Sequence, residues 1–246
     1  MDYPTEEELL KEWGFGSRKE LEDDIAARLR DLEPYANLII GIFKTNIDEW
    51  VAERIKSRGY RFVAKIEKPP GSRLTKSPQR IVDKIIESHK NEGSTKYDPE
   101  NFLTTMSDVV RFRIKCNYLD DVQYFKEKID ELFKNDYEKI AIEDAKDYIS
   151  TPYPDRRVGH RAIQYTFRYS DDENPFLFEV QIMTQLQHAW DKKDHHLIYE
   201  YVREGRGNEI PVHLKNRVAA MSELLYVADT VFEVLRSSIN EILEEE

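Results

Sequence analysis

Two carboxylates sit where carboxylates are costly. Asp108 opens the segment DVVRFRIKC, and Glu179 lies inside FLFEVQIMT; both segments otherwise read as strands. An ionised carboxylate among apolar neighbours must be paired, hydrogen-bonded or bound to a metal. Two carboxylates brought together repel each other, and a divalent cation relieves that repulsion. Mg²⁺ suits such a pair, because it takes one or two carboxylates and completes its shell with water and phosphate oxygens. Glu179 and Gln181 share one strand face, which points either to solvent or into a cleft. Upstream lies a basic loop entering a helix, with Arg73, Lys76, Ser77, Arg80 and Lys84. Ser77 can N-cap the helix that Pro78 begins, and a helix start of this kind favours an anion. The arrangement suits a polyphosphate, although GxxxxGK[ST] is absent; as bare chemistry it serves equally as a solvated charged surface.

Two more clusters follow. In GHRAIQY (159–165), strict alternation puts His160, Ala162 and Gln164 on one face. His160 could stack on a nucleobase and Gln164 could hydrogen-bond one, or both could face water. In QHAWDKKDHHLIY (187–199), Asp191 and His195 are four residues apart. On a helix that spacing allows a carboxylate-oriented imidazole, or a charged face with Trp190 in the core. HExxH and GxSxG are missing, and Cys116 is the only cysteine, so neither a zinc site nor an activated serine is indicated.

These groups need elements to hold them. Residues 5–13 and 17–31 read as helices, and Pro34 suits the first turn of a third that runs to about Ser57. YRFVAKIEK reads as a strand, KPPGSRLTKSP as a loop and 78–89 as a helix. NEGSTKYDPEN is a second loop. Strands follow at DVVRFRIKC, 137–148, HRAIQYTFRY and FLFEVQIMT, with a helix at YLDDVQYFKEKIDELF and another over 185–201. The segment 211–244 reads as one long helix. Leu214, Val218, Met221, Leu225, Ala228, Phe232, Leu235, Ile239 and Ile242 repeat at alternating spacings of four and three, an a/d seam of about four heptads. The seam either packs on the protein's own N-terminal helices or joins a second copy. Three regions result: a helical segment 1–58, a mixed core 59–203 and a C-terminal helix 204–246.

The chain has 246 residues, 40% hydrophobic and 35% charged, with a formal net charge of −11. That balance argues against a general DNA or RNA coat protein, whose affinity comes from neutralising phosphates. No apolar run approaches the ~20 residues of a membrane span, and the acidic start MDYPTEEELLKEW is unlike a secretory signal. A reducing cytoplasm is the expected location, with no membrane and no DNA partner.

In order and spacing the clusters resemble the synthetase domain of the RelA/SpoT family, in particular its short single-domain members. The resemblance rests on KSPQRIVDK (76–84), DVVRFR (108–113), KDYISTP (146–152), GHRAIQ (159–164), EVQIMT (179–184) and WDKKDH (190–195). It covers about residues 75–200. It implies an α/β fold of nucleotidyltransferase type, a mixed sheet flanked by helices. It also implies transfer of pyrophosphate from ATP to the 3′-hydroxyl of an acceptor nucleotide, releasing AMP. The usual acceptor is GDP or GTP, giving (p)ppGpp; a toxic branch acts on adenine nucleotides or on the 3′ end of tRNA. Another possibility is a non-catalytic nucleotide-binding module on the same fold.

Under that resemblance Asp108 holds Mg²⁺, and Glu179 completes the metal site or takes the proton from the attacking hydroxyl. Arg73, Lys76, Ser77 and Lys84 serve the ATP phosphates, and Arg113 stacks on adenine. His160, Gln164, Gln181 and His195 form the acceptor side. The chain also departs from the family pattern. Leu74 stands where the basic loop has arginine, Arg80 where it has serine, and Arg111 where D-x-x-G-x-R has glycine. His160 replaces a tyrosine, Gln164 a histidine and Met183 an arginine. Metal and donor residues are mostly retained, whereas the acceptor side is altered at His160, Gln164 and Met183.

Overall fold

The computed structural model describes residues 3–58, 63–68, 74–90, 96–135, 137–149, 151, 159–171, 174–203 and 206–244. Arg73, expected at the phosphates, lies outside the described residues. Five strands form one mixed sheet: β1 (Ala64–Glu67), β2 (Val110–Cys116), β3 (Ile140–Asp147), β4 (Ile163–Tyr169) and β5 (Phe176–Thr184). Their order is β1-β2-β5-β4-β3; β2 and β5 pair in parallel and every other pair is antiparallel. The helices are α1 (Glu6–Glu12), α2 (Arg18–Arg58), α3 (Pro78–Lys90), a short α4 (Phe102–Thr105), α5 (Leu119–Leu132), α6 (Gln185–Asp194), α7 (Glu200–Arg203) and α8 (Val212–Glu244). A π-helical turn, His195–Tyr199, joins α6 to α7. The α/β architecture expected from the sequence is the observed one.

The period-two pattern gives the sheet two unlike faces. Phe112 and Ile114 of β2, Phe178, Val180 and Ile182 of β5, and Tyr165 and Phe167 of β4 are buried on one face. There Phe43 of α2 meets Phe112, Phe167 and Phe178 edge-on and stacks on Phe133 with ring centroids 5.2 Å apart. The other face carries Arg111, Arg113 and Lys115, then Glu179 and Gln181, then Gln164 and Thr166, aligned across β2, β5 and β4 by the strand register.

Four local readings change. Pro34 does not start a helix; it lies inside α2, which runs unbroken for 41 residues, about 60 Å. A proline inside a helix costs about 3 kcal/mol. Leu29, Leu32, Ala36, Ile39 and Ile40 are all buried on both sides of it, so the continuous apolar stripe outweighs that cost. Strand β4 begins at Ile163, so His160 stands in the lead-in segment and does not alternate with Gln164. Asp108 lies in the turn before β2. Finally, among the described residues α8 lies chiefly against α5 and α6, not against the N-terminal helices.

α8 packs its polar side inward. Ser222, Asp229 and Arg236, each seven residues from the next, are buried, while Met221, Phe232, Leu235, Ile239 and Ile242 are all at least half exposed. Asp229 Oδ2 accepts from Thr184 Oγ1 at 2.6 Å and from Gln187 Nε2 at 3.3 Å. Arg236 reaches Asp120 at 2.6 Å, and Arg54 of α2 reaches the same carboxylate at 2.7 Å. Trp190 of α6 donates to Val218 O at 2.9 Å. Ser222 also donates to Gly159 O.

Gly159 is the tightest point of this joint. Its φ of +102° belongs to glycine, and a Cβ there would come within 2.9 Å of both Ser222 Cβ and Trp190 Cζ2. Gly159→Ala is expected to lower stability by about 2–4 kcal/mol, through backbone strain and overpacking together. Thermal unfolding checks this; an unchanged midpoint would remove the close approach as a constraint.

Candidate active site

The backbone brings the basic segment to the sheet. Thr75 bridges to Val110, Lys76 N–H donates to Val109 O at 2.8 Å, and Arg111 N–H donates to Leu74 O at 3.3 Å. This tie places the Lys76 ammonium 2.6 Å from Asp108 Oδ2. Lys84, on the second turn of α3, reaches Asp108 Oδ1 at 2.8 Å. Ser77 caps α3 as its type predicts, its hydroxyl accepting from Arg80 N–H at 3.4 Å.

Asp108 is therefore held between two ammonium groups. Burial pushes its carboxyl upward, but the charges and hydrogen bonds of Lys76 and Lys84 hold it well below the usual carboxylate range. Burial also pulls the Lys76 ammonium below its ordinary value, with Lys84 and Arg111 adding repulsion against the pull of Asp108. For Lys84 burial is outweighed by Asp108, and its value rises.

Glu179 is buried, 5% exposed. Its two oxygens each accept an amide: Gln164 Nε2 at 2.6 Å on Oε2 and Gln181 Nε2 at 2.8 Å on Oε1. Burial raises its carboxyl above the ordinary range, and the charge of Asp108 raises it further against Arg111, Lys84 and Arg113. The charge of Asp108 thus acts on Glu179, and Glu179 and Gln181 are buried rather than open to bulk solvent. Asp108 and Glu179 supply hard oxygen donors, and among the described residues no group of three His, Cys, Asp or Glu side chains gathers as a metal site. A pair of carboxylates fits Mg²⁺, which relies on water and phosphate for its remaining positions.

From Glu179 a polar chain runs toward α6. Gln181 Oε1 accepts from Arg113 Nε at 2.9 Å, Arg113 Nη2 pairs with Asp191 Oδ2 at 2.8 Å, and Asp191 Oδ1 lies 3.0 Å from His160 Nδ1. An ionised carboxylate only accepts, so His160 carries its proton on Nδ1. His160 is 4% exposed and joined to the site by its ring edge. His195 Nδ1 is 3.0 Å from Glu200 Oε1, which Arg80 of α3 also approaches at 3.5 Å. The Asp191 carboxylate, a candidate partner of His195 by spacing, meets His160 and Arg113. Its role has no local signal, since His160 is 31 positions away.

A second cluster escaped sequence reading altogether. Glu67 at the end of β1 binds Lys115 at 2.5 Å and Lys192 at 3.0 Å, and lies 3.3 Å from His188 Nε2. Burial raises Glu67, but the hydrogen bonds from Lys115 and Lys192 prevail and hold it at about 2. Burial lowers His188 to about 4, against the pull of Glu67. The folded imidazole thus stays neutral where the unfolded one takes up a proton. His188 supports stability fully above pH ~6.5, and that support is lost as pH falls toward 4. Between pH 7 and pH 5 the loss should be on the order of 1–2 kcal/mol and absent in His188→Gln. Denaturation midpoints of both proteins at the two pH values check this, and parallel losses would refute it.

Comparison with known proteins follows the same residues. A family model described as a region found in RelA / SpoT proteins matches residues 72–204. The GTP pyrophosphokinase YjbM of Bacillus subtilis (strain 168) is 28% identical over 159 residues, 64% of this chain and 71% of that one. Among solved structures, small alarmone synthetase 1 from Bacillus subtilis bound to its product pppGpp superposes with a TM-score of 0.61 at 22% identity, covering 86% of this chain and 97% of that one. The protein smu.1046c from Streptococcus mutans UA159 gives a TM-score of 0.63 at 20% identity, covering 87% and 98%. At these identities the structural likeness speaks for the fold.

Proposed function

The chain belongs to the RelA/SpoT family, and from that premise we propose that it is an ATP-dependent nucleotide 3′-pyrophosphokinase acting on a small nucleotide acceptor. The observation that carries this reading is the double clamp of Lys76 and Lys84 on Asp108, set beside buried Glu179 on one polar sheet face. Phosphoryl transfer asks mainly for positioning and charge neutralisation, and this cluster supplies both. A relative named as a GTP pyrophosphokinase, and related structures holding pppGpp or AMPCPP, support nucleotide substrates.

The acceptor 3′-oxygen attacks the β-phosphorus of ATP. The bond from that phosphorus to the α–β bridging oxygen breaks, and AMP leaves with the bridging oxygen. Glu179 accepts the hydroxyl proton, its raised carboxyl being better matched to that task than an exposed glutamate. Lys76 and Lys84 face the phosphates, with Ser77 and Arg73 on the same segment, and Arg113, held edge-on, offers its planar face to adenine. His160, Gln164, Gln181 and His195 are assigned to the acceptor side. Asp108 and Glu179 would hold Mg²⁺, whose charge neutralises phosphate oxygens when bound. The −11 net charge favours a free nucleotide over tRNA.

Incubation with Mg²⁺-ATP and a panel of guanine and adenine nucleotides, with tRNA included, should yield AMP with at least one small nucleotide. No AMP with any acceptor would turn the reading to a binding module, and AMP with tRNA alone would turn it to RNA modification. Asp108→Asn and Glu179→Gln should each cut AMP release by at least ~10³-fold while the circular dichroism spectrum is kept.

A second copy of the chain is proposed to cover the outer face of α8. From Phe232 on, the exposed residues Phe232, Leu235, Ile239 and Ile242 keep the four-three spacing of a helix-pairing seam, and exposed Leu224, Val227, Val231 and Val234 widen the apolar face. Light scattering should show an oligomer that Val231→Lys with Leu235→Lys converts to monomer; a monomeric wild type would refute it.

A further inference from the structure

Resting on the reading above, we infer that Arg111 is a phosphate-binding residue of this site, gripping the polyphosphate chain beside Lys76 and Lys84. Arg111 stands where the family pattern has glycine, so its guanidinium adds a charge that the pattern does not supply.

The strand puts it in place. Arg111 alternates with buried Val110 and Phe112, so its side chain rises from the polar face of β2, and its register partner on β5 is Glu179. Its backbone N–H binds Leu74 O, so it lies directly beside the segment that delivers Lys76. It is close enough to repel the Lys76 ammonium and to attract the Glu179 carboxylate.

Its neighbour shows what a structural arginine looks like here. Arg113, two positions on, is tied to Gln181 and Asp191. Arg111 is half-buried, and among the described residues its side chain makes no hydrogen bond, ion pair or ring contact. A guanidinium cannot shed its proton to escape like-charge neighbours. Arg111 feels the repulsion of the Lys76 ammonium and the attraction of Glu179, whose two oxygens are already taken by glutamine amides, so its guanidinium is left to grip an arriving anion.

Charge and shape identify that anion. With Arg113 paired to Asp191, the centre holds Lys76, Lys84 and Arg111 against Asp108 and Glu179. The surplus is positive, and the donors are spread over a loop, a helix and a strand. A single phosphate engages few of them, whereas a chain of phosphates spans them. The planar fork of arginine matches two oxygens of one phosphate, which an ammonium cannot do. Arg111 is thus suited to fix the orientation of the group that the lysines only neutralise.

Two probes test this: equilibrium binding of inorganic tripolyphosphate, and AMP release from ATP. Arg111→Gln should weaken tripolyphosphate binding by about 10-fold or more and lower turnover by ~10²-fold, with thermal stability kept or raised. Arg111→Lys should recover much of the binding but less of the turnover, because it restores the charge and not the fork. An Arg111 that merely fills space would behave oppositely: Arg111→Gly would bind tripolyphosphate as tightly or more tightly and turn over as fast or faster. That result overturns the assignment, as does unchanged binding in Arg111→Gln. The two readings fail separately. Arg111-dependent tripolyphosphate binding without AMP from any acceptor sinks the pyrophosphokinase reading and leaves Arg111 a phosphate ligand. AMP release that Arg111→Gln does not alter leaves the enzyme and removes Arg111 from its site.

Discussion

One carboxylate between two ammonium groups organises this protein's site. Asp108 accepts Lys76 on one oxygen and Lys84 on the other, and the two lysines come from different elements. The first belongs to an extended segment stitched to β2 by backbone hydrogen bonds, the second to α3. The clamp therefore fixes the start of α3 against the lead-in of β2. It also keeps two partly desolvated cations together that would otherwise repel. Burial charges a price on each of these groups, and mutual pairing offsets it. A site assembled this way is stable before any substrate arrives and already carries the charges that a polyphosphate needs.

The sheet makes this possible by dividing its labour between faces. Its central parallel pair, β2 and β5, turns aromatic and branched side chains toward α2 and α5, where Phe43 gathers four rings around itself. The same strands present charges and amides on the opposite side. Glu179 can be buried there because both of its oxygens are met by glutamine amides. Gln181 is itself oriented by Arg113, and Arg113 by Asp191. Each polar group takes its direction from the next, so the face is held by a connected hydrogen-bond network.

α8 reverses the usual arrangement of a surface helix. Its buried positions are Ser222, Asp229 and Arg236, and each meets a named partner on the body. Most of its large apolar residues are exposed. Polar contacts fix the helix in a single register, because hydrogen bonds are directional where apolar contacts are not. The anchors also run close to the site: Ser222 holds Gly159, next to His160, and Glu223 pairs with buried Arg161. A helix fixed so specifically on one side is well suited to present the other to a second chain.

Local pattern determined much of this from the sequence alone. Alternation located the strands and put Glu179 and Gln181 on one face, because a side chain's direction in a strand depends only on its parity; the register then aligned Arg111 and Arg113 with them. Residue types marked the Ser77 cap and the two costly carboxylates. Motif order supplied the family. Tertiary structure decided the rest. Pro34 is kept inside α2 because burial of a continuous apolar stripe outweighs the local cost of a proline, a balance that no window of sequence contains. The inner face of α8 is polar because of partners on α5 and α6 far away in the chain, whereas its spacing by itself favoured the apolar seam. Asp191 joins His160 to Arg113, and Glu67 gathers Lys115, His188 and Lys192, only once β1, β2 and α6 are side by side. Asp108 and Glu179 were visible as anomalies in the sequence. That they share one electrostatic field followed from the parallel register of β2 and β5, since pairing between distant strands depends on three-dimensional packing and leaves no trace in local spacing.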